Sequence, residues 1–96
     1  MGLQHVKIIE ISTQISRLVQ SKHYSIEKAA KIIFATCAFA EFVEGYAEVG
    51  ISFQLESGHS IYLKPHRFEK GFHQFTIYPP ILHKNTTYEA FTVKLQ

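Results

Sequence analysis

The chain has 96 residues, of which 46% are apolar and 19% charged, and this balance indicates one globular domain rather than a disordered segment. Its net charge of +2 and its pI of about 8.7 fall short of the concentrated basic surface that nucleic-acid binding usually needs. All eight acidic residues are glutamate, which excludes catalytic triads and calcium loops built on aspartate.

Cys37 is the single cysteine, so the chain cannot form a disulfide within itself. A small domain without disulfides depends on its apolar core, which is typical of a reducing compartment, and we expect a cytoplasmic protein. The longest apolar stretch, Ile32–Ala40, is far shorter than the roughly 20 residues of a membrane span. The first residues carry neither a secretory nor a myristoylation signal, so we expect no membrane partner.

The first predicted element is a helix over about Leu3–Ser21. Apolar residues recur in it at three- and four-residue spacing, which places them in one stripe. The stripe consists of Ile8, Ile11, Ile15 and Leu18, widened by Ile9 and Val19. An edge strand is the alternative for Val6–Ile11, because this stretch is rich in β-branched residues. The helix is favoured because the stripe continues as far as Leu18.

A second helix is predicted from Ile26 to about residue 45, with Ser25 as its N-cap. Almost every side of this helix is apolar, so we expect it to be buried on most sides. The sheet and the first helix could provide that cover, and a second protein chain could provide part of it. A homodimer through this helix, or through an unpaired edge strand, is therefore one expectation.

Beyond Gly45 the apolar residues alternate with polar ones, a period typical of strands that pack on one side only. Strands are predicted at about 49–55, 60–68, 72–78 and 87–95, and Pro79 and Pro80 end the third. The predicted fold class is α+β, with two N-terminal helices packed on one face of a three- to four-stranded antiparallel β-meander.

The predicted loop between the second and third strands is Glu69–Gly71, whose last residue suits a left-handed conformation. This loop makes Phe68 face Phe72 and Leu63 face Ile77, so that both apolar sets lie on one side.

The first hairpin is predicted to have a loop longer than two residues or a bulge. A two-residue loop at Ser57–Gly58 would place Leu55 opposite Ser60 and mix the apolar and polar faces.

Three histidines, His59, His66 and His73, are seven residues apart, but they fall in loops and at strand ends, where this spacing brings no side chains together. His66 lies opposite Gln74 in the predicted register. Zinc sites use closer histidine or cysteine pairs, so we predict no metal ligand and no cofactor. Cys37 lies among apolar helix residues and is interpreted as a core residue rather than a nucleophile.

The open face of the predicted sheet is the main candidate binding site. Protein interfaces are enriched in tyrosine and arginine and contain few charges at their centres. The candidate residues of this region are Tyr62, Lys64, Arg67, Gln74, Thr76, Tyr78 and Lys94. A second candidate is the acidic end of the second helix, where Glu41 and Glu44 could attract a basic partner.

These features favour a non-enzymatic domain that acts by protein–protein contact, such as an inhibitor, an immunity protein or an adaptor. Phages and mobile elements often encode short chains of this kind. The alternative is a protein that binds single-stranded nucleic acid, with bases stacked on the tyrosines and phosphates held by lysine and arginine.

Overall fold

A computed structural model describes residues 2–36 and 50–95 of the chain. The elements are α1 (Gly2–Lys22), α2 (Ile26–Phe34), β1 (Ile51–Gln54), β2 (Ser60–Pro65), β3 (His73–Tyr78) and β4 (Ala90–Val93). The strands form one antiparallel sheet in the order β1-β2-β3-β4, and the helices contact this sheet. The predicted α+β fold, two helices followed by an antiparallel meander, is confirmed.

The first helix is continuous, so the alternative of an edge strand at Val6–Ile11 is wrong. Its buried face consists of Ile11, Ser12, Ile15 and Ser16, with Ile8, Leu18 and Val19 packed at the margin. The Ser16 hydroxyl accepts a hydrogen bond from the Glu56 N–H at 3.3 Å, which ties α1 to the sheet. Ile9 does not widen the buried stripe, because 53% of it is exposed.

The second helix begins as predicted, since the Ser25 hydroxyl accepts the Lys28 N–H at 3.1 Å. It ends at Phe34, so the prediction of an unbroken helix is wrong at residues 35 and 36. The N–H and the hydroxyl of Thr36 both donate to the Ile33 carbonyl, at 3.1 and 2.7 Å, and this tightens the last turn. The predicted stretch of helix beyond residue 36 lies outside the described residues.

Four phenylalanines join the helices to the sheet. The ring of Phe34 from α2 lies 5.8 Å from that of Phe53 and 5.3 Å from that of Phe75, measured between centroids. Phe75 in turn lies 5.3 Å from Phe91 of β4. Phe34, Phe53 and Phe75 are fully buried, so the core lies between the helix layer and one face of the sheet.

The first hairpin has a three-residue loop, Glu56–Gly58, which confirms that the loop is longer than two residues. The Leu55 N–H donates to the His59 carbonyl at 2.8 Å, and Gly58 adopts a left-handed φ of +92° at the last loop position. This closure keeps Leu55 buried on the core side of the sheet.

The second hairpin differs from the prediction. The His66 N–H donates to the Phe72 carbonyl at 2.9 Å, so the loop comprises the five residues 67–71. The register therefore moves by two residues, and Leu63 faces Phe75 rather than Ile77. A shift of two residues keeps every side chain on its own face, so the alternating pattern could not distinguish these registers.

The His66 side chain accounts for the longer loop. Its Nδ1 atom accepts hydrogen bonds from the N–H groups of Phe68 at 3.2 Å and Glu69 at 3.1 Å. The two N–H groups are thereby turned into the loop, so Phe68 cannot continue β2 and face Phe72. As a second correction, Gln74 lies opposite Lys64 and not opposite His66.

The remaining boundaries lie close to the predicted ones. β3 ends at Tyr78, directly before the two prolines, as predicted, and β4 begins later than predicted, at Ala90. Asn85 adopts a left-handed φ of +63° in the connection between them. Neither of the two described helices combines the length and the apolar character that crossing a membrane requires.

Candidate binding surface on the open sheet face

The sheet face turned away from the buried phenylalanines carries the predicted polar and tyrosine side chains; we call it the open face. The strand register arranges it in three rows: Ser52, Tyr62, Thr76 and Ala90; Gln54, Ser60 and Tyr78; and Lys64, Gln74 and Thr92. None of these side chains is acidic. The structure therefore brings together five predicted site residues, namely Tyr62, Lys64, Gln74, Thr76 and Tyr78.

The two tyrosines of the open face are held by neighbours. Tyr62 lies across Gly50, since a Cβ atom added to Gly50 would be only 2.6 Å from the Tyr62 hydroxyl. Tyr78 packs edge-on against Tyr88, with 5.3 Å between ring centroids, and the Tyr88 hydroxyl accepts the His83 N–H at 3.2 Å. Both tyrosines of the open face are half-buried, so they are already positioned before any partner binds.

Positive charge gathers at one end of the open face, beside the β2–β3 loop. Lys64 is exposed in β2, and Arg67 lies in the loop rather than on the sheet itself. Lys94 follows β4 at the same end, because Val93 pairs with His73. A cleft of about 360 Å³ in this basic end is lined by Lys64, Pro65, His66 and Arg67.

The outer edge of β1 forms a second surface; an unpaired edge strand was expected from the sequence, but its cleft with α1 was not. The hydrogen bond between Leu55 and His59 fixes the alternation of the ladder, so the backbone groups of Ser52 and Gln54 point away from β2. A cleft of about 350 Å³ runs between this edge and α1. It is lined by Ile8, Ile9, Ser12, Thr13, Ser16, Ser52, Gln54 and Glu56. We call it the edge cleft. Ile9 was predicted to widen the buried stripe of α1, and its exposure here shows that it lines this cleft instead.

The three spaced histidines have three different environments. The Nδ1 atom of His59 lies 2.8 Å from the Ser57 hydroxyl, and His66 caps the β2–β3 loop. The Nδ1 atom of His73 is buried without a hydrogen-bond partner, and burial lowers the pKa of His73 below its ordinary value of 6.5. Within residues 2–36 and 50–95, no three histidine, cysteine or glutamate side chains are grouped as a metal ion would need.

Three residues singled out in the sequence, Cys37, Glu41 and Glu44, lie outside the described residues. The acidic end of the predicted second helix therefore stays a prediction. No protein-family model, curated protein or solved structure matches this chain. The open face, its basic end and the edge cleft are the surfaces from which a function can be inferred.

Proposed function

We propose that this chain is a small, non-enzymatic protein-binding domain that acts through its open face, as an inhibitor, immunity protein or adaptor does. The supporting observation is the arrangement of the open face, where two positioned tyrosines and neutral polar side chains surround Thr76. Neutral centres with tyrosine anchors and charge at the margin are characteristic of protein interfaces. Lys64 and Lys94, with the nearby Arg67, provide such a margin.

The test is affinity capture with the intact chain from its source cells, followed by mass spectrometry. We expect the Tyr62→Ala, Tyr78→Ala double variant and the Thr76→Arg variant to lose the captured protein. Thr76 is central in the face, so a long charged side chain there would obstruct an approaching surface. Loss of two interface tyrosines typically weakens binding at least about tenfold.

Tyr24→Ala is the matched control, because Tyr24 is a half-buried tyrosine that packs with the core in the helix layer. Circular dichroism and thermal unfolding establish that each variant remains folded. The proposal fails if the folded open-face variants still capture the same protein as the unaltered chain. Glu41→Gln and Glu44→Gln test the acidic end of the predicted second helix in the same assay.

The second candidate function is binding of single-stranded nucleic acid, which the basic end of the open face favours. Lys64, Arg67 and Lys94 would then hold phosphates while a tyrosine stacks on a base. Binding of a labelled oligouridylate should in that case fall steeply with salt, and neutralising each cation should reduce the slope by about one. No binding at low salt excludes this function.

A further inference from the structure

The tip of the β2–β3 loop presents an aromatic side chain to solvent. Phe68 is 82% exposed, more than any other large apolar side chain of the described residues. Phenylalanine is among the residues most often buried in a domain's own core, whereas aromatic residues and arginine are both enriched at protein interfaces. The exposed Phe68 beside Arg67 is therefore a candidate contact residue. Phe68 belongs neither to the open face nor to the core.

The loop holds Phe68 in place rather than leaving it on a free segment. The Nδ1 atom of His66 accepts hydrogen bonds from the N–H groups of Phe68, at 3.2 Å, and Glu69, at 3.1 Å. The Phe72 N–H donates to the Glu69 carbonyl at 3.3 Å and closes the turn. Because the backbone is already ordered, little conformational entropy remains to be lost when Phe68 enters a pocket.

One cation lies against the exposed ring, and two more belong to the same loop region. The guanidinium carbon of Arg67 lies 5.6 Å from the centre of the Phe68 ring, and both Arg67 and Lys70 are exposed. Lys64 lies in the basic cleft beside them. Glu69 is the single acidic residue among residues 64–72, so the apolar ring is presented within a positive surface.

We propose that the β2–β3 loop anchors this domain to a partner protein whose surface has an apolar pocket with an acidic rim. Phe68 fills the pocket, while Arg67 and Lys70 pair with the rim. Aromatic residues and arginine are enriched at protein interfaces, and complementary charge accelerates the association of the partners. This inference rests on the proposed function, because it names the chemistry of the bound protein and adds an anchor beside the open face.

The geometry favours a protein over a nucleic acid. Binding of single strands uses several open ring faces in succession along a basic groove. Here Phe68 is a single exposed ring with Arg67 over it, whereas Tyr62 and Tyr78 are half-buried and Tyr78 is packed against Tyr88. The pI of about 8.7 is also below the value of about 9 that is typical of nucleic-acid-binding domains.

The experiment selects binders to the immobilised full chain from a displayed library of random peptides about a dozen residues long. We expect enriched peptides to combine glutamate or aspartate with large apolar residues. Phe68→Ala should weaken these peptides about 10- to 100-fold, as loss of a hot-spot residue does. Arg67→Ala and Lys70→Ala should weaken them less and should reduce the dependence of binding on salt.

Ile81→Ala is the matched control, because Ile81 is a large apolar residue with 72% exposure in the connection after β3. It should leave peptide affinity unchanged. Because Phe68 and Ile81 are both largely exposed, neither Phe68→Ala nor Ile81→Ala should alter the unfolding temperature appreciably.

The other outcomes separate this inference from the proposed function. Peptides that survive Phe68→Ala but are lost with Tyr62→Ala and Tyr78→Ala overturn the anchor and leave protein binding through the open face intact. Enrichment of peptides without acidic residues, or no enrichment, also overturns the anchor. Binding of oligouridylate in place of any peptide overturns both proposals.

Discussion

Gly50 lies at the entry to β1 with a left-handed φ of +87°, beneath the ring of Tyr62. A side chain at Gly50 would meet both the Tyr62 hydroxyl and, at 3.0 Å, the Leu63 carbonyl. The glycine therefore fixes a feature of the open face, because its missing side chain leaves room for a tyrosine.

We expect Gly50→Ala to destabilise the domain by more than Gly71→Ala does. Gly71 has a similar φ of +86° but no atom within 4 Å of an added Cβ, so only backbone strain of roughly 1–2 kcal/mol applies there. At Gly50 the same strain is joined by overpacking, which adds roughly 1–3 kcal/mol. Urea unfolding of both variants measures the difference, and equal losses of stability would contradict the contact with Tyr62.

His73 makes the stability of the folded domain depend on pH. Burial lowers the pKa of His73 in the folded state, so as the pH falls the unfolded chain takes up this proton first, from about its ordinary pKa of 6.5. The contribution of His73 to stability is therefore complete above that pH and is lost as the pH falls toward the folded-state pKa.

We expect His73→Leu to reduce the loss of unfolding free energy between about pH 8 and about pH 5. The matched control is His83→Gln, because His83 is exposed and its side chain is not buried by the fold. Urea titrations at a series of pH values provide the measurement. An unchanged pH dependence in His73→Leu would show that burial does not affect this imidazole.

At the scale of elements, the second hairpin loop is two residues longer than the sequence suggests, whereas the first agrees with its prediction. A three-residue loop ending in a left-handed glycine is predicted for the second hairpin but occurs in the first, at Glu56–Gly58. The second loop is longer because His66 accepts two N–H groups from it. Histidine has no strong turn preference in sequence, so this cap depends on the ring orientation in the folded loop.

The exposed position of Phe68 follows from that cap. A shorter loop would place Phe68 in the ladder opposite Phe72, whereas the capped loop turns it into solvent. The exposed position of Phe68 is thus accompanied by two N–H groups that share the single lone pair of His66 Nδ1, an interaction worth about 1 kcal/mol in total.

At the scale of the whole molecule, the outer edge of β1, one of the two edge strands of the sheet, is a route by which two copies could associate. Ser52 directs its N–H out of the sheet, whereas Ser60 directs its N–H toward β3. The edge cleft beside Ser52 is lined by Ile8 and Ile9, so a strand added at this edge would meet apolar side chains there. We propose self-association by this edge as the form that a homodimer would take.

We expect Ser52→Pro to preserve the fold and to abolish dimerisation, because proline removes a donor that the sheet itself does not use. Ser60→Pro is the matched control and should destabilise the domain, since it removes a ladder hydrogen bond to β3. Mass measurements across a micromolar dilution series report association, and circular dichroism reports folding. A monomeric mass for the unaltered chain at all concentrations would contradict association.

The sequence by itself determined the class of fold and the composition of the open face. Periods near 3.6 and of two residues separate helix from strand, and the alternation from Ile51 onward assigns each side chain to one face. Ser25 and the two prolines likewise marked a helix start and a strand end, because their effects are local.

Only the tertiary structure decided the register of β2 with β3, the end of α2 at Phe34, and the surfaces made by separate elements. Registers that differ by two residues bury the same apolar face, so a pattern cannot choose between them. The edge cleft arises where α1 meets β1. The exposure of Phe68 arises where the His66 side chain accepts hydrogen bonds from the β2–β3 loop. These surfaces depend on distances in space that follow no period in the sequence. Local conformational preferences carry no information about those distances.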